Sequence, residues 1–428
     1  MITAGLCAPL ILAFAWERLL ERLNLRHVAR HGAELPAELA ARLPANHHPR
    51  ALDYLRARIR LGHAAASLEL LERLAWLLLL LPPLAAWSAA ATPGPVSAGL
   101  LLAIVMALAG SLLQLPLEWH ETFRLEARFG FNRATPRVFW TDQLKGLLLQ
   151  AAIGLPALAA VLALAVHCPN HWWLAASAFL ITLETLLLFL FPRLIAPLFN
   201  RFEPLPAGEL RDGLEALARR RGFPLEQIVI MDGSRRSGHA NAYFAGFGRH
   251  RRLVLYDTLA NQLTPPELAA VVAHEIGHCK RRHLLLLGTL AALALTAGAF
   301  LACRLLAWPA FAATLRLPAG QPGAALAALG ILASPVLAAL APLRNHLLRR
   351  CEYAADAYAV RATGGAAPLR AALLRLFESN LAPLRPHPLH SLWHDSHPPL
   401  PARLAAIARA AAEAATTAAQ RPPPPTPA

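Results

Sequence analysis

Charged residues make up only 16% of this chain. Acid is the scarcer sign: 26 aspartates and glutamates face 41 lysines and arginines, for a formal net charge of +15. Such an excess suits nucleic acid or an anionic lipid surface. No basic run is interleaved with aromatic side chains, so no nucleic-acid partner is expected. Cysteine is as scarce. Cys7, Cys168, Cys279, Cys303 and Cys351 show no paired spacing. That argues against a disulfide framework and a cysteine zinc site, and leaves them as small buried hydrophobes.

Long stretches lack charge altogether. None falls in Leu74 to Leu117, Gly146 to Leu183, Leu284 to Cys303 or Leu317 to Leu343. A membrane span takes about 20 apolar residues, so the first two runs are long enough for two spans each. Turn chemistry divides them, "TPGP" at Thr92 to Pro95 and "HCPNH" at His167 to His171. The competing reading, buried helices of a large soluble protein, fails because soluble helices seldom lack charge on every face. The apolar N-terminus, "MITAGLCAPLILAFAW", has no basic leader, and Glu17-Arg18 follows where a cleavage site would need small residues. It reads as an uncleaved first span rather than a signal peptide.

Seven spans result, and the loops between them alternate. Glu17 to Arg73, Glu118 to Lys145, Arg193 to His283 and the chain from Arg344 are arginine-rich; the others are nearly neutral. The positive-inside rule then puts the N-terminus outside, and the basic loops and C-terminal region in the cytoplasm. Membrane lipids are therefore expected partners. A composition heavy in alanine, arginine, leucine and proline suggests a GC-rich bacterial genome, hence the inner (plasma) membrane.

What is present is chemistry beside a span. "TPPELAAVVAHEIGHCKRRH" predicts a helix capped at Thr264, with Pro265 and Pro266 in its first turn and Glu267 at N3. His274 and His278, four apart, present both imidazoles on one face. Zinc at such a site takes two nitrogens and a third protein ligand and keeps a position for water, with Glu275 placed to accept that water's proton. The third ligand is sought in "RRCEYAADAYAV", where Glu352 and Asp356 are again four apart. An acidic pair on an alanine-rich helix is ordinarily a solvated edge. Returning to the same side of the membrane as His274, Glu352 would complete a His2Glu set binding one zinc per chain, and Asp356 would hold a ligand imidazole. The proline-broken His387, His390 and His394 read as a surface loop, and His283 as an interfacial residue. Glu184, a carboxylate inside the fifth span, is a functional candidate by default.

These motifs resemble the Ste24-type CAAX prenyl proteases, the integral-membrane M48 zinc metallopeptidases. "LEARFGFNRATPRVFWTDQLKG" (Leu125 to Gly146), "PRLIAPLFNRFEPLP" (Pro192 to Pro206), "HANAYFAGFGRHRRLVLYDTL" (His239 to Leu259) and "SHPPLPARLAAI" (Ser396 to Ile407) match the family's pattern in order, over about residues 50 to 407. The resemblance implies a mainly α integral-membrane fold: spans around a water-filled chamber, and a zincin-like domain with a small β-hairpin. It implies that Asn241 and Ala242 pair with a substrate backbone, and that His397 and Arg403 lie close to zinc and donate to a developing oxyanion. Its substrate would be a peptide or protein, lipid-modified in the family's manner. General membrane-protein turnover is the nearest alternative, and a non-catalytic transport or scaffold protein with structural zinc is the alternative of another class.

The expected organisation is a five-span membrane region (1–192; spans near 2–16, 74–91, 98–117, 146–166 and 172–192) and a first catalytic part (193–283). Spans six and seven (284–343), a second catalytic part (344–409) and a disordered tail (410–428) follow.

Overall fold

A computed structural model describes residues 2–34, 39, 43–246 and 251–420 of the chain. It forms two compact units. One comprises Met1–Arg22, Arg56–Phe199 and Leu286–Ala341, and the other Leu23–Leu55, Asn200–Leu285 and Pro342–Ala428.

The first unit is all helix. Helix α1 (Ile2–His31) enters it at its N-terminal end. Then come α2 (His47–Ala91), α3 (Pro95–Phe129), α4 (Pro136–His167) and α5 (Trp172–Phe199). Prolines open α3 and α4, where a missing N–H costs nothing, and the Thr135 side chain accepts the Val138 N–H at the start of α4. The two expected turns fall at the α2–α3 and α4–α5 junctions. Among the described residues six helices are long and apolar enough to cross a membrane: α2 to α5 and, later in the chain, His283–Leu306 and Pro322–Ala339. The expected first span lies within α1 and is not among those six.

The apolar windows of these helices are between 0% and 28% buried. Leu79, Leu112, Leu148, Leu285, Leu293 and Leu337 are all exposed. Apolar faces left this open fit lipid as their solvent and not a soluble core. Where spans meet, small residues let them close. A Cβ added to Gly323 would stand 2.5 Å from the Cα of Gly99. Leu81, Leu102, Phe311 and Ala328 form the core beside that crossing.

The second unit carries a sheet and the remaining chemistry. Its elements are β1 (Phe202–Pro204), α6 (Glu209–Arg220), β2 (Gln227–Met231), β3 (Ala242–Ala245), β4 (Arg252–Tyr256), α7 (Asp257–Gln262) and α8 (Pro265–Lys280). Helix α9 (His283–Leu306) begins here; α10 (Pro309–Thr314) and α11 (Pro322–Ala339) belong to the first unit. Helices α12 (Ala341–Thr363), α13 (Ala367–Ser379), α14 (Pro388–His394) and α15 (Leu400–Ala419) follow.

The sheet has four strands in the order β1-β2-β4-β3, not the hairpin alone. The hairpin is its β3–β4 half, antiparallel, while β2 pairs parallel with β4 and β1 antiparallel with β2. Gly246, at φ 88°, follows β3, and residues 247–250 lie outside the described residues. Leu214, Phe223, Leu253, Leu268, Ile276 and Ile407 form the core of this unit.

Two expected boundaries shift. Leu23–Leu55 belongs to this unit and not to the membrane region. Leu39 and Leu43 pack with Leu374, Leu384 and Leu404, and Asn24 Oδ1 accepts the His387 N–H. The tail expected from Ala410 is helical to Ala419, because alanine at these positions favours helix; residues 421–428 lie outside the described residues.

Candidate metal centre and active site

Helix α8 starts as expected. Thr264 and Glu267 form a reciprocal capping box, the Thr264 N–H donating to Glu267 Oε2 at 2.8 Å. Arg375 Nε donates to the other oxygen at 2.8 Å, which ties α8 to α13. Burial pushes the Glu267 carboxyl up, but those donors outweigh it and hold it below the ordinary carboxylate value.

About two turns further on, His274 and His278 share a face. Their Nε2 atoms stand 3.1 Å apart. Glu352, from α12, reaches between them: Oε1 is 3.3 Å from Nε2 of His278 and Oε2 3.7 Å from Nε2 of His274. Among the described residues this is the one group of three histidine, cysteine or acidic side chains whose ligand atoms all lie within 4.8 Å. The helices can approach because Gly277 faces α12; a Cβ there would sit 3.1 Å from Ala355 Cα and 3.1 Å from Tyr358 Cβ. The alanines of α12 are its packing face, Ala355 and Ala359 being fully buried.

A layer of partners orients this group. Asp356 Oδ1 is 2.9 Å from Nδ1 of His274. Arg403 grips Asp356 with both arms of its fork, Nε to Oδ2 at 2.9 Å and Nη2 to Oδ1 at 2.6 Å. His397, exposed, places Nδ1 2.7 Å from Glu352 Oε2. Burial pushes Glu352 up, but hydrogen bonds with His278 and His397 outweigh it and hold its carboxyl well below the usual range. Asp356 is lowered likewise: burial is offset by His274 and Arg403. The Glu352 hydrogen bond pushes the His397 imidazole up.

Glu275 behaves differently. It is half-buried and has no hydrogen-bond partner among the described residues. Burial raises its carboxyl, against the lowering influence of His274 and His278. A carboxylate next to His274 and His278, without a hydrogen-bond partner among the described residues and of raised proton affinity, has the properties of a proton acceptor.

The structure thus brings His274, His278, Glu352, Asp356, His397 and Arg403 together. Asn241 and Ala242 are at the sheet's edge: among the described residues β3 pairs only with β4, and it packs against α8. Asn241 O accepts the Tyr256 N–H, so by antiparallel alternation Ala242 and Phe244 turn their backbone groups outward. The Asn241 side chain occupies the Ala242 N–H at 2.8 Å.

Other expectations need revision. His390 and His394 are not in a loop: they stack on α14, which His387, just ahead of its first turn, caps by accepting the Leu389 N–H at Nδ1. His283 is not simply interfacial; it is buried, with Nδ1 3.0 Å from Nδ1 of His278. The catalytic helix and the span after it are separate helices. The first ends at Lys280, and the chain turns through Arg281 and Arg282, the latter at φ 56°. Glu184 is exposed on α5.

Sequence reasoning missed Asn345 and Arg349. Asn345 Nδ2 donates to Trp393 O at 2.5 Å, and Arg349 Nη1 to Ser391 O and Asp395 O at 3.1 and 2.7 Å. They fix the segment leading to His397. Their one signal is position, on the same helix as Glu352.

The chain is similar to known membrane peptidases. The model of the CAAX prenyl protease N-terminal region, five membrane helices, matches residues 24–201, and that of peptidase family M48 matches residues 204–411. The chain belongs to peptidase family M48. Among its relatives, the CAAX prenyl protease 1 homolog of Arabidopsis thaliana is 37% identical over 311 residues, covering 69% of this chain and 70% of that protein. CAAX prenyl protease 1 of Saccharomyces cerevisiae is 36% identical, covering 69% of each. The crystal structure of S. mikatae Ste24p superposes with a TM-score of 0.88 at 30% identity, covering 95% of this chain and 98% of that one. This M48 peptidase is therefore an integral-membrane metallopeptidase of the CAAX prenyl protease type, and the non-catalytic alternatives are not favoured.

Proposed function

We propose that the metal is zinc, one per chain, held by Nε2 of His274, Nε2 of His278 and the Glu352 carboxylate. The observation that carries this reading is the convergence of those three groups on one point. The donor set fits: two imidazoles and a carboxylate are a common catalytic zinc set. Asp356 accepts the Nδ1 proton of His274, which leaves that ring's Nε2 lone pair free. Bound zinc supplies Lewis acidity, acidifying water and polarising a carbonyl.

The chain's own groups do the rest. Glu275 takes a proton from the attacking water on a carboxylate oxygen and returns it to the departing amine. The edge strand β3 holds the peptide extended through the outward backbone groups of Ala242, once the Asn241 side chain yields that N–H. His397, exposed beside Glu352, is the donor placed to meet the developing oxyanion. Arg403, with its fork committed to Asp356, acts through that carboxylate and so through His274.

The relatives are named for prenylated CAAX substrates, and we take this chain's substrate class to be the same: a peptide or protein with a lipid near its C-terminus. The basic loops support an inner-membrane location with the catalytic unit in the cytoplasm. Mass spectrometry of a farnesylated CAAX peptide and its unmodified twin, each incubated with the zinc-loaded protein in detergent, tests the reading. Faster cleavage of the lipidated peptide is expected. Equal cleavage of both would overturn the substrate class, and cleavage of neither would overturn the activity.

A further inference from the structure

We propose that His283 is a positioning residue for the metal site: it accepts the Nδ1 proton of His278 and so leaves that ring's Nε2 lone pair free for the metal. The inference rests on the reading of His274, His278 and Glu352 as ligands. Nδ1 of His283 is 3.0 Å from Nδ1 of His278, and the rings meet edge to face with centroids 5.0 Å apart. Two facing ring nitrogens at that distance share one proton. Nε2 of His278 points into the cluster, 3.1 Å from His274 Nε2 and 3.3 Å from Glu352 Oε1. A ring that ligates through Nε2 carries its proton at Nδ1. His283 must then present a lone pair at Nδ1 and keep its own proton at Nε2. The opposite arrangement would put a proton on His278 Nε2, where the metal has to bind.

The break in the catalytic helix is what makes this contact. In an unbroken helix, residues five apart lie about 140° apart around the axis and cannot face each other. Here α8 stops at Lys280, and α9 starts at His283 after Arg282 has turned through φ 56°. A non-glycine residue rarely takes that conformation. Its effect is to bring the first residue of α9 back onto the second ligand. The two ligand imidazoles are therefore supported differently, His274 by a carboxylate and His278 by a neutral ring.

The test is zinc titration of the full-length protein in detergent against a competing chelator. His283→Ala and His283→Phe are expected to weaken zinc binding by about 10–100-fold. His283→Asn, whose side-chain oxygen can accept the same proton, is expected to recover most of it. Should His283→Ala fail to fold, the contrast between Phe and Asn decides. Wild-type affinity in His283→Phe, or equally weak binding in Phe and Asn, overturns the proposal. Glu352→Ala in the same titration separates the failures. If Glu352→Ala loses zinc while His283→Phe keeps it, only the role of His283 is wrong; if Glu352→Ala also keeps zinc, the ligand reading is wrong.

Discussion

Asp356 Oδ1 and His274 Nδ1 stand 2.9 Å apart, both groups out of contact with bulk water. On the proposed ligand set, a proton shared between them would fix the tautomer and the tilt of the His274 ring, whereas Glu352 would contribute a ligand atom itself. The two acidic residues should therefore fail differently. Glu352→Ala is expected to lose the metal, and Asp356→Ala to weaken it by about 10–100-fold. Metal content after dialysis against a graded chelator series reads both. Equal loss in the two variants would mean that Asp356 is itself a ligand.

Glu267 gives a pH dependence whose sign can be stated. Its folded-state affinity for protons is lowered from the ordinary 4.5, because the donors at Thr264 and Arg375 outweigh burial. A depressed carboxyl stabilises the fold above its unfolded-state value and loses that contribution as pH falls through the folded one. Glu267→Gln should thus cost stability at pH 7, by no more than about 1 kcal/mol since Arg375 is 44% exposed. The gap from wild type should close as pH falls below 4.5. Thermal melts in detergent at both ends of that range check it; a gap independent of pH would contradict it.

The crossing of α3 and α11 predicts a position-specific cost. A methyl group on Gly323 meets backbone, the Gly99 Cα at 2.5 Å, whereas one on Gly330 of the same helix meets nothing within 4 Å. Gly323→Ala is expected to destabilise by about 1–3 kcal/mol or more, as overpacking does. Gly330→Ala should be neutral. Comparable melting temperatures for both variants would show that the spans do not close on these glycines.

Much of this was legible in the sequence for identifiable reasons. The charge-free runs and their "TPGP" and "HCPNH" turns marked the spans. The Thr264 cap, the spacing of His274 and His278 and the matched spacing of Glu352 and Asp356 marked the site. What could not be read depends on tertiary contact. Strand β1 is three residues long, too short for a period to show, so the sheet was expected as a hairpin only. Arg282 carries no signal that it will take a left-handed turn, and without that turn His283 looks like the start of an apolar run. Arg403 was expected to face an oxyanion; its commitment to Asp356 depends on how α15 meets α12, which spacing does not encode.

Glu275→Gln gives the most direct test of the central claim, that a metal held by His274, His278 and Glu352 works with Glu275 as the proton acceptor. Glutamine keeps the size of the side chain and removes its capacity to take a proton. Bound zinc and peptide turnover are to be measured on the same preparation. The account predicts wild-type zinc content with turnover lowered by about 10²–10⁴-fold or more. Wild-type zinc content with wild-type turnover would contradict it.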